Sequence, residues 1–474
     1  MGLSETSSGR RPPHRSRPSR SGKPGDPAGA AVAPRPGLEA RLVAAKLLSA
    51  VVDAKTSADG LTDPAGGHPA YRALEPRDQA LVRAILTTAL RFRGSLTAAI
   101  DACLDRPLPP NAAPLRHLLA VGATQILHLD VPDSAAVDLA VAAASGDPRS
   151  ARFAGLVNAV LRRLSREADD VRTRFADPML DCAPWLAARL SAQYGPERAQ
   201  AIAAIHRLPA PIDLSVKQDP AGWAERLGGQ VVAGATVRLA AGSLSGPVTA
   251  LPGFEEGDWW VQDAAAALPA RLFGDVAGKR IADLCAAPGG KTAQLAAAGA
   301  KVTAVDISAS RMKRLKANLQ RLKLEVDTHI GDLSGLEPPA GGFDGVLLDA
   351  PCSSTGTIRR HPDVAYTKDA AEVAKLAAVQ QRLLSVAAGL VASGGLLVFS
   401  NCSLDREEGE DVARAFLAEH PDFSIEPVLA GELPELAEAI TAEGYLRTRP
   451  DMLPADDAAA AGLDGFFAAR LRKG

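Results

Sequence analysis

RIADLCAAPGGKT, residues 280–292, joins a short apolar run directly to a glycine-rich turn. The apolar residues up to Leu284 are typical of a buried strand, and KTAQLAAA after Gly290 has a helical pattern. A strand, a glycine-rich turn and a helix in this order let a ligand approach backbone N–H groups at a helix N-terminus. The stretch therefore predicts the first strand of an α/β sheet with a ligand site beside it.

Further short strand-like runs follow at regular spacing, and helical patterns separate most of them. The runs are KVTAVD (301–306), EVDTHIGD (325–332), FDGVLLDA (343–350) and GLLVFSN (395–401). Alternation of strands and helices predicts an open, mostly parallel sheet of Rossmann-like type. In such sheets ligands bind beyond the carboxyl ends of the strands.

The glycine-rich turn does not match the common phosphate-binding loops. Cys285 stands where a Walker A loop needs glycine, and Gly289-Gly290 does not supply a dinucleotide fingerprint. Asp306 ends the second strand, about 20 residues after the turn, where a carboxylate can hold ribose hydroxyls. Asp332 ends the third strand and can flank an adenine. Together they predict an adenosyl site without a pyrophosphate clamp, which suits S-adenosyl-L-methionine.

Two cysteines follow the fourth and fifth predicted strands. They are Cys352 in DAPCSSTG (349–356) and Cys402 in SNCS (400–403). The chain has five cysteines and no CxxC pair, so disulfide and zinc frameworks are poor interpretations and no metal site is predicted. Both thiols should lie at the ligand-binding edge of the sheet, where either could be a nucleophile.

The rest of the chain divides by composition. Residues 37–168 have helical periodicity and short loops, which predicts an all-α domain. Residues 175–258 are predicted to form a small connector domain of mixed secondary structure. Residues 259–474 are predicted to form the α/β domain. The tail, 1–36, holds seven basic residues against two acidic ones. It is predicted to be disordered, and it is either an arm that meets nucleic acid or a solvated extension.

The motifs resemble a known family. DLCAAPGGKT, DAPCSSTG and SNCS, in this order, look like the Sun-type (Fmu/RsmB-like) bacterial ribosomal RNA cytosine-C5 methyltransferases. WWVQDAAAALPA (259–270) and DGFFAARLRK (464–473) are also similar to that family. The segment 38–167 resembles the NusB-like RNA-binding domain of members that modify small-subunit ribosomal RNA. The resemblance implies a class I methyltransferase fold with a mostly parallel, seven-stranded sheet.

The resemblance also implies a reaction. The enzyme would methylate cytosine C5 in 16S ribosomal RNA, with S-adenosyl-L-methionine as methyl donor and a covalent bond between a cysteine and C6. Chemistry alone does not choose the thiol, because DNA cytosine-C5 enzymes use the one at the fourth strand. The resembled RNA family uses the fifth-strand thiol, which assigns Cys402 as nucleophile and Cys352 as the group that helps product release. Two buried structural thiols are the alternative.

Other site residues follow from the same resemblance. Asp349 could accept a hydrogen bond from the cytosine amino group, and Lys291 could reach the base or the cofactor carboxylate. Cys285 is expected to contribute only backbone. The predicted cofactor-binding residues are Cys285, Ala286, Ala287, Pro288, Gly289, Gly290, Lys291, Asp306, Asp332 and Asp349.

Two neighbouring features concern RNA and a departure from the family. Arg359, Arg360 and His361 are expected to position phosphate beside the crevice, with ion pairing to nearby aspartates as the alternative. Ser354 stands where the family usually has glycine. No stretch approaches the ~20 apolar residues of a membrane helix, so no membrane partner is expected. We also expect the protein to be cytoplasmic and a monomer. The same reaction on tRNA, or a non-catalytic role in ribosome assembly, remain alternatives.

Overall fold

The computed structural model describes residues 35–109 and 112–474. The predicted basic tail, 1–36, therefore lies outside the described residues except for its last two positions. Residues 37–474 form one unit.

The N-terminal part of this unit is a helical bundle. Val157, Val160, Leu161 and Leu164 of one amphipathic helix face its core, because they recur at helical spacing. Gly122 lets a neighbouring helix approach, since a Cβ there would lie 2.6 Å from Leu161. The helices are α1 (Leu38–Val52), α2 (Ala58–Leu61), α3 (Pro69–Arg72), α4 (Pro76–Arg91), α5 (Arg93–Ala102), α6 (Ala113–His128), α7 (Asp133–Gly146), α8 (Ala154–Arg166) and α9 (Ala168–Arg174).

A helical pair joins this bundle to the rest of the chain. α10 (Pro184–Tyr194) and α11 (Pro196–His206) begin with proline in the first turn, where its missing N–H costs nothing. Their apolar faces pack with Ile358, Val364 and Leu404 of the C-terminal part. The pair therefore rests on the loops that follow the main sheet.

A small antiparallel sheet comes next. It contains β1 (Ile212–Val216), β2 (Gln230–Val232), β3 (Thr236–Leu239) and β4 (Trp259–Val261), in the order β2-β3-β1-β4, with α12 (Pro220–Leu227) between β1 and β2. Asp213 and Arg238 pair inside it through two contacts of 2.7 Å. The expected α/β segment begins at 259, but β4 pairs with β1 and so belongs to this connector sheet.

The C-terminal part is built on a larger sheet. Its strands are β5 (Arg280–Leu284), β6 (Lys301–Asp306), β7 (Asp327–Ile330), β8 (Phe343–Asp349), β9 (Val391–Asn401), β10 (Phe423–Ile425), β11 (Leu446–Thr448) and β12 (Phe466–Lys473). Seven of them run in the order β10-β12-β9-β8-β5-β6-β7, and β11 pairs with β12 as an eighth. β5 to β9 are parallel, whereas β12 is antiparallel to its neighbours. This is the mostly parallel, Rossmann-like sheet that the sequence predicts.

The order of the strands places the ligand crevice. β5 is flanked by β6 on one side and by β8 on the other, so the chain changes direction across the sheet between β5 and β8. Loops that leave such a switch point at the carboxyl edge diverge and open a crevice. The helices of this part are α13 (Ala264–Arg271), α14 (Gly290–Ala297), α15 (Ala309–Arg321), α16 (Val364–Thr367), α17 (Ala370–Leu390) and α18 (Glu410–Glu419).

Within the described residues, no helix combines the length and the apolar character that crossing a bilayer requires.

Candidate active site

The glycine-rich loop after β5 is fixed against the neighbouring strand. The N–H of Ala286 donates to the carbonyl of Val305 at 3.0 Å, and the N–H of Ala287 donates to Asp306 at 3.1 Å. Gly289 has φ +103°, and a Cβ there would lie 2.9 Å from Leu315 on α15. Glycine is required at this position because both the backbone angle and the close approach exclude a side chain.

An open cavity of about 390 Å³ lies beside this loop. This volume is within the range of small-molecule sites. The predicted residues that line it are Ala286, Ala287, Pro288, Gly289, Gly290, Lys291 and Asp349. Lining residues that the sequence analysis missed are Phe254, Trp260, Val261, Gln262, Asp263, Ala266, Asp283, Asn318, Arg321 and Leu322.

One of the missed residues, Asp283, has an unusual environment. Its Oδ2 accepts a hydrogen bond from Thr292 at 2.6 Å, whereas its buried Oδ1 has no partner among the described residues. Burial raises the pKa of this carboxyl to about 7. A buried, unpartnered carboxylate oxygen in a cavity wall fits a ligand with a positive charge, as S-adenosyl-L-methionine has on its amino group and its sulfonium. An acidic residue inside an otherwise apolar strand is the signal that could have revealed it.

Three predicted cofactor residues do not line the cavity. The Asp306 side chain is only 1% exposed and accepts from the N–H groups of Ala287 and Ser308. Asp332 is exposed and caps the following turn through the N–H of Ser334. Burial raises the pKa of Cys285 to about 12, which suits a purely backbone role. The assignment of these three residues to the cofactor stays a prediction.

Lys291 and Asp349 form an ion pair in the wall of the cavity. Lys291 Nζ lies 2.7 Å from Asp349 Oδ2, and the Ser400 hydroxyl donates to Oδ1 at 3.0 Å. The ammonium also lies over the ring of Phe466, 4.7 Å from its centroid. Through Ser400 the pair is linked to the end of β9, next to Cys402.

The site also contains a pair of thiols. Asp349 at the end of β8 is in register with Ser400 on β9, so the residues that follow the two strands are neighbours. The sulfur atoms of Cys352 and Cys402 lie 3.4 Å apart. Neither is in a disulfide. The hydroxyl of Ser354 lies 3.5 Å from the Cys402 sulfur and 3.9 Å from the Cys352 sulfur.

The pKa values of the two thiols are shifted in opposite directions. The hydrogen bond with Cys352 lowers the pKa of Cys402, and Ser354 and the Lys291 charge act in the same direction. The same hydrogen bond raises the pKa of Cys352 well above its usual value, and burial adds to this. Burial also raises the pKa of Cys103, Cys182 and Cys285. Cys402 is thus the cysteine, of the five, whose pKa is lowered.

A buried carboxylate that sequence reasoning missed holds the two cysteine loops together. Glu408 accepts from the N–H of Ser353 at 2.8 Å, from the Ser353 hydroxyl, and from Gln380 at 3.1 Å. Its own carbonyl accepts from the Asn401 amide at 2.7 Å. Burial raises the pKa of Glu408. Glu408 therefore holds both Ser353, which follows Cys352, and Asn401, which precedes Cys402.

The expected phosphate contacts of the loop after Cys352 are wrong for its two arginines. Arg359 is 1% exposed and donates to main-chain carbonyls, including those of Leu208, Pro209 and Ala461. Arg360 pairs with Asp263 at 2.6 Å and with Asp464 at 3.2 Å. His361 contacts Asp59 at 3.0 Å. The two arginines therefore use their donors on carbonyls and carboxylates inside the protein, where they link distant parts of the chain.

The connector sheet reaches the cavity through Gln262. Its amide oxygen accepts from the Ser215 hydroxyl at 2.9 Å and from the Trp260 indole at 2.7 Å. Its amide nitrogen donates to Gln294 on α14 at 2.7 Å. The side chain therefore ties the connector sheet to the helix that starts at the glycine-rich loop.

Curated relatives resemble the chain over most of its length. It is 37% identical over 413 residues to the ribosomal RNA small subunit methyltransferase B of Xanthomonas campestris, covering 83% of this chain and 90% of that protein. It is 38% identical to the protein of the same name from Xylella fastidiosa, covering 92% and 98%.

Solved structures share the fold. The crystal structure of PH0851 matches with a TM-score of 0.67 and 23% identity, over 93% of this chain and 99% of that one. NSun6 from Pyrococcus horikoshii matches with a TM-score of 0.50 and 18% identity, over 61% of this chain and 98% of that one.

Two family models cover the two larger parts of the molecule. Residues 38–166 match the NusB family, and residues 272–472 match the family described as 16S rRNA methyltransferase RsmB/F. The second match contains the cavity loop, both thiols and Glu408. Taken with the full-length relatives, these matches show that the chain is a methyltransferase that belongs to the RsmB/F family and carries an N-terminal NusB domain.

Proposed function

We propose that this protein methylates C5 of a cytosine in 16S ribosomal RNA, using S-adenosyl-L-methionine and a transient covalent bond to Cys402. The observation that carries the proposal is the contact of 3.4 Å between the sulfur atoms of Cys352 and Cys402, next to a cofactor-sized cavity. Its relatives are named as small-subunit ribosomal RNA methyltransferases, which supports the RNA target.

The cavity residues fit the cofactor. S-adenosyl-L-methionine, when bound, supplies an electrophilic methyl group on a positively charged sulfur. The unpartnered Oδ1 of Asp283 would meet a positive group, and the backbone at Gly289-Gly290 and the start of α14 would face a polar or anionic one. Asp306 and Asp332 remain the proposed ligands of the ribose and the adenine.

Cys402 makes C5 reactive. Cytosine C5 is a poor nucleophile while the ring is aromatic. Addition of the Cys402 thiolate to C6 breaks the C5–C6 double bond and turns C5 into a carbon nucleophile, which takes the methyl group. The lowered pKa of Cys402 increases its thiolate fraction near neutral pH.

Cys352 acts at the end of the reaction. After methyl transfer a base must remove the C5 proton, and the electrons of that C–H bond restore the C5–C6 double bond while the Cys402 thiolate leaves. The raised pKa of Cys352 keeps its proton available to the departing sulfur, 3.4 Å away. A thiol that stays protonated is suited to this release and unsuited to attack.

Asp349 and Lys291 would recognise the base. Asp349 lies three residues before Cys352 and has one oxygen on Lys291 and the other on Ser400. Each carboxylate oxygen has a second lone pair, so Asp349 can still accept a hydrogen bond from the cytosine amino group. Uracil has a carbonyl at that position, which would repel the carboxylate.

The remaining parts would hold the RNA. The target base must leave its stack to reach the thiols, so unpaired or easily opened RNA is favoured. We assign RNA binding to the helical domain, 37–168, and an auxiliary role to the connector, 175–258, with catalysis in 259–474. Lys313 and Lys316 are exposed on α15, the helix that also supplies Asn318 and Arg321 to the cavity wall. We propose that the enzyme is a cytoplasmic monomer.

Bisulfite sequencing of 16S ribosomal RNA, from cells with and without the gene, tests the proposal. We expect one cytosine that resists conversion only when the protein is present. A protected cytosine in tRNA instead would move the activity to that substrate. Unchanged protection together with no binding of S-adenosyl-L-methionine at about 100 μM in calorimetry would favour a non-catalytic role in ribosome assembly.

A further inference from the structure

Ser354 adopts a backbone conformation that suits glycine better than serine. Its φ is +61° and its ψ is +24°, in the left-handed region. Resemblance to the family predicts glycine here, so this chain has a side chain where none is expected. Unfavourable backbone conformations of this kind persist where the surrounding structure enforces them, and they cluster at functional sites.

The turn around Ser354 fixes where its side chain lies. The Ser354 carbonyl accepts from the N–H of Thr357 at 3.0 Å and from the Thr357 hydroxyl at 2.9 Å. The preceding residue, Ser353, is held by Glu408. With the main chain anchored on both sides, the hydroxyl is brought to 3.5 Å from the Cys402 sulfur and 3.9 Å from the Cys352 sulfur.

We propose that the Ser354 hydroxyl is a catalytic group of this enzyme that donates a hydrogen bond to the Cys402 thiolate and keeps it ready to attack. The role rests on the proposed function, because it concerns the nucleophile assigned there. It follows from geometry: a hydroxyl can act as donor or acceptor, so it can accept from the thiol and donate to the thiolate. Hydrogen bonds to a charged partner are stronger than those between neutral groups.

The charges around Cys402 explain why another donor is useful. Asp349, at the end of β8, opposes the thiolate, whereas Lys291 on α14 favours it. Glu408, which holds the neighbouring Ser353, helps to raise the pKa of Cys352. Lys291 is engaged with Asp349 at 2.7 Å, so its charge is partly neutralised. Ser354 therefore supplements the Cys352 thiol as a donor to the nucleophile.

Two substitutions distinguish the effect of the Ser354 hydroxyl from the effect of the backbone conformation. Ser354→Ala removes the hydroxyl and keeps a Cβ at the positive φ. Ser354→Gly removes the hydroxyl and also relieves the backbone. If the hydroxyl matters, the two variants behave alike toward the thiol, although Ser354→Gly should have the higher unfolding temperature. If only the turn matters, Ser354→Gly should match the wild type.

The measurement is the alkylation rate of Cys402 by iodoacetamide against pH, followed by peptide-level mass spectrometry on the full chain without RNA or cofactor. We expect the midpoint of this profile to rise by about half to one pH unit in both variants. A midpoint that is unchanged in both, or that moves in only one, overturns the proposal. Because no methylation is assayed, loss of the proposed function in the bisulfite experiment would be seen independently.

Discussion

The cavity after β5 and the thiol pair after β8 and β9 lie at the same edge of one sheet, yet they are built differently. The cavity wall combines the small residues of the glycine-rich loop with larger side chains from α15 and from the end of the connector sheet. The thiol site is a dense network of side chains in which Ser353, Asn401 and Glu408 fix each other. We expect added side-chain volume to damage the cavity, and the replacement of single polar or sulfur atoms to damage the thiol site.

Replacing each thiol tests the second region most severely. Cys402→Ala should lower methylation by more than about a thousandfold, because no other thiol has a lowered pKa. Cys352→Ala should instead accumulate a covalent protein–RNA adduct, since Ser354 and Lys291 still favour the Cys402 thiolate and allow attack, whereas release fails. Denaturing gels with labelled 16S ribosomal RNA and S-adenosyl-L-methionine measure both. An adduct with Cys402→Ala alone would reverse the two roles.

Added volume in the loop tests the first region. Gly289→Ala should weaken cofactor binding about thirtyfold, because the new Cβ would lie 2.9 Å from Leu315 and displace the loop. Gly299→Ala is the matched control: its φ is +89°, but the nearest atom to the new Cβ is 3.6 Å away. Calorimetric titration should find normal affinity for the control. Equal losses in both would mean that backbone strain alone, and not the clash, matters.

Asp283 offers a pH test of the cavity. Its pKa is raised to about 7, so the carboxyl is mostly neutral at pH 6 and mostly charged at pH 8. Affinity for the positively charged cofactor should rise up to about tenfold between these values. Asp283→Asn should bind weakly with little dependence on pH over the same range. A flat wild-type profile in calorimetry would contradict the proposed contact with a positive group.

The Asp283 carboxyl also makes the stability of the fold depend on pH. Stability should fall as the pH rises, whereas affinity for the cofactor should increase. A raised folded-state pKa means that the folded protein keeps a proton that the unfolded chain loses above pH 4. This contribution to stability is present below pH 4 and is lost as the pH rises to about 7.

Glu408 gives the smallest expected effect. Glu408→Gln keeps the shape but replaces one acceptor oxygen with a donor, so the unfolding free energy should fall by about 1 kcal/mol and methylation by a few-fold. Glu407→Gln is the control, because Glu407 is 40% exposed and pairs with Arg189 near the surface. Urea denaturation and initial rates measure the two effects. An inactive Glu408→Gln that remains fully stable would indicate a direct part in the chemistry.

How much the sequence predicts differs between the two regions. The parallel strands and both thiol loops follow from local patterns, because each strand is a short apolar run that ends in a distinctive motif. The pairing of β4 with the connector and the short β11 depend on distant partners, which periodicity does not report. For the same reason the cavity wall from Phe254 to Ala266 was missed.

The basic run at Arg359 shows a different limit. Positive residues beside a crevice favour contact with phosphate when only the chain order is known. In the folded protein Asp263 and Asp464, about a hundred residues away on either side, neutralise Arg360. Charge in a sequence indicates a ligand only where the fold leaves it without an internal partner.

The hydrogen bonds of Gln262 have a consequence for how the enzyme can be divided. Trp260 and Gln262 precede the segment 272–472 that matches the methyltransferase family, yet they form part of the cavity wall. A fragment trimmed to that segment would keep both thiols but lose one side of the cavity. The residues that form the cavity therefore extend beyond the methyltransferase match and back into the connector sheet.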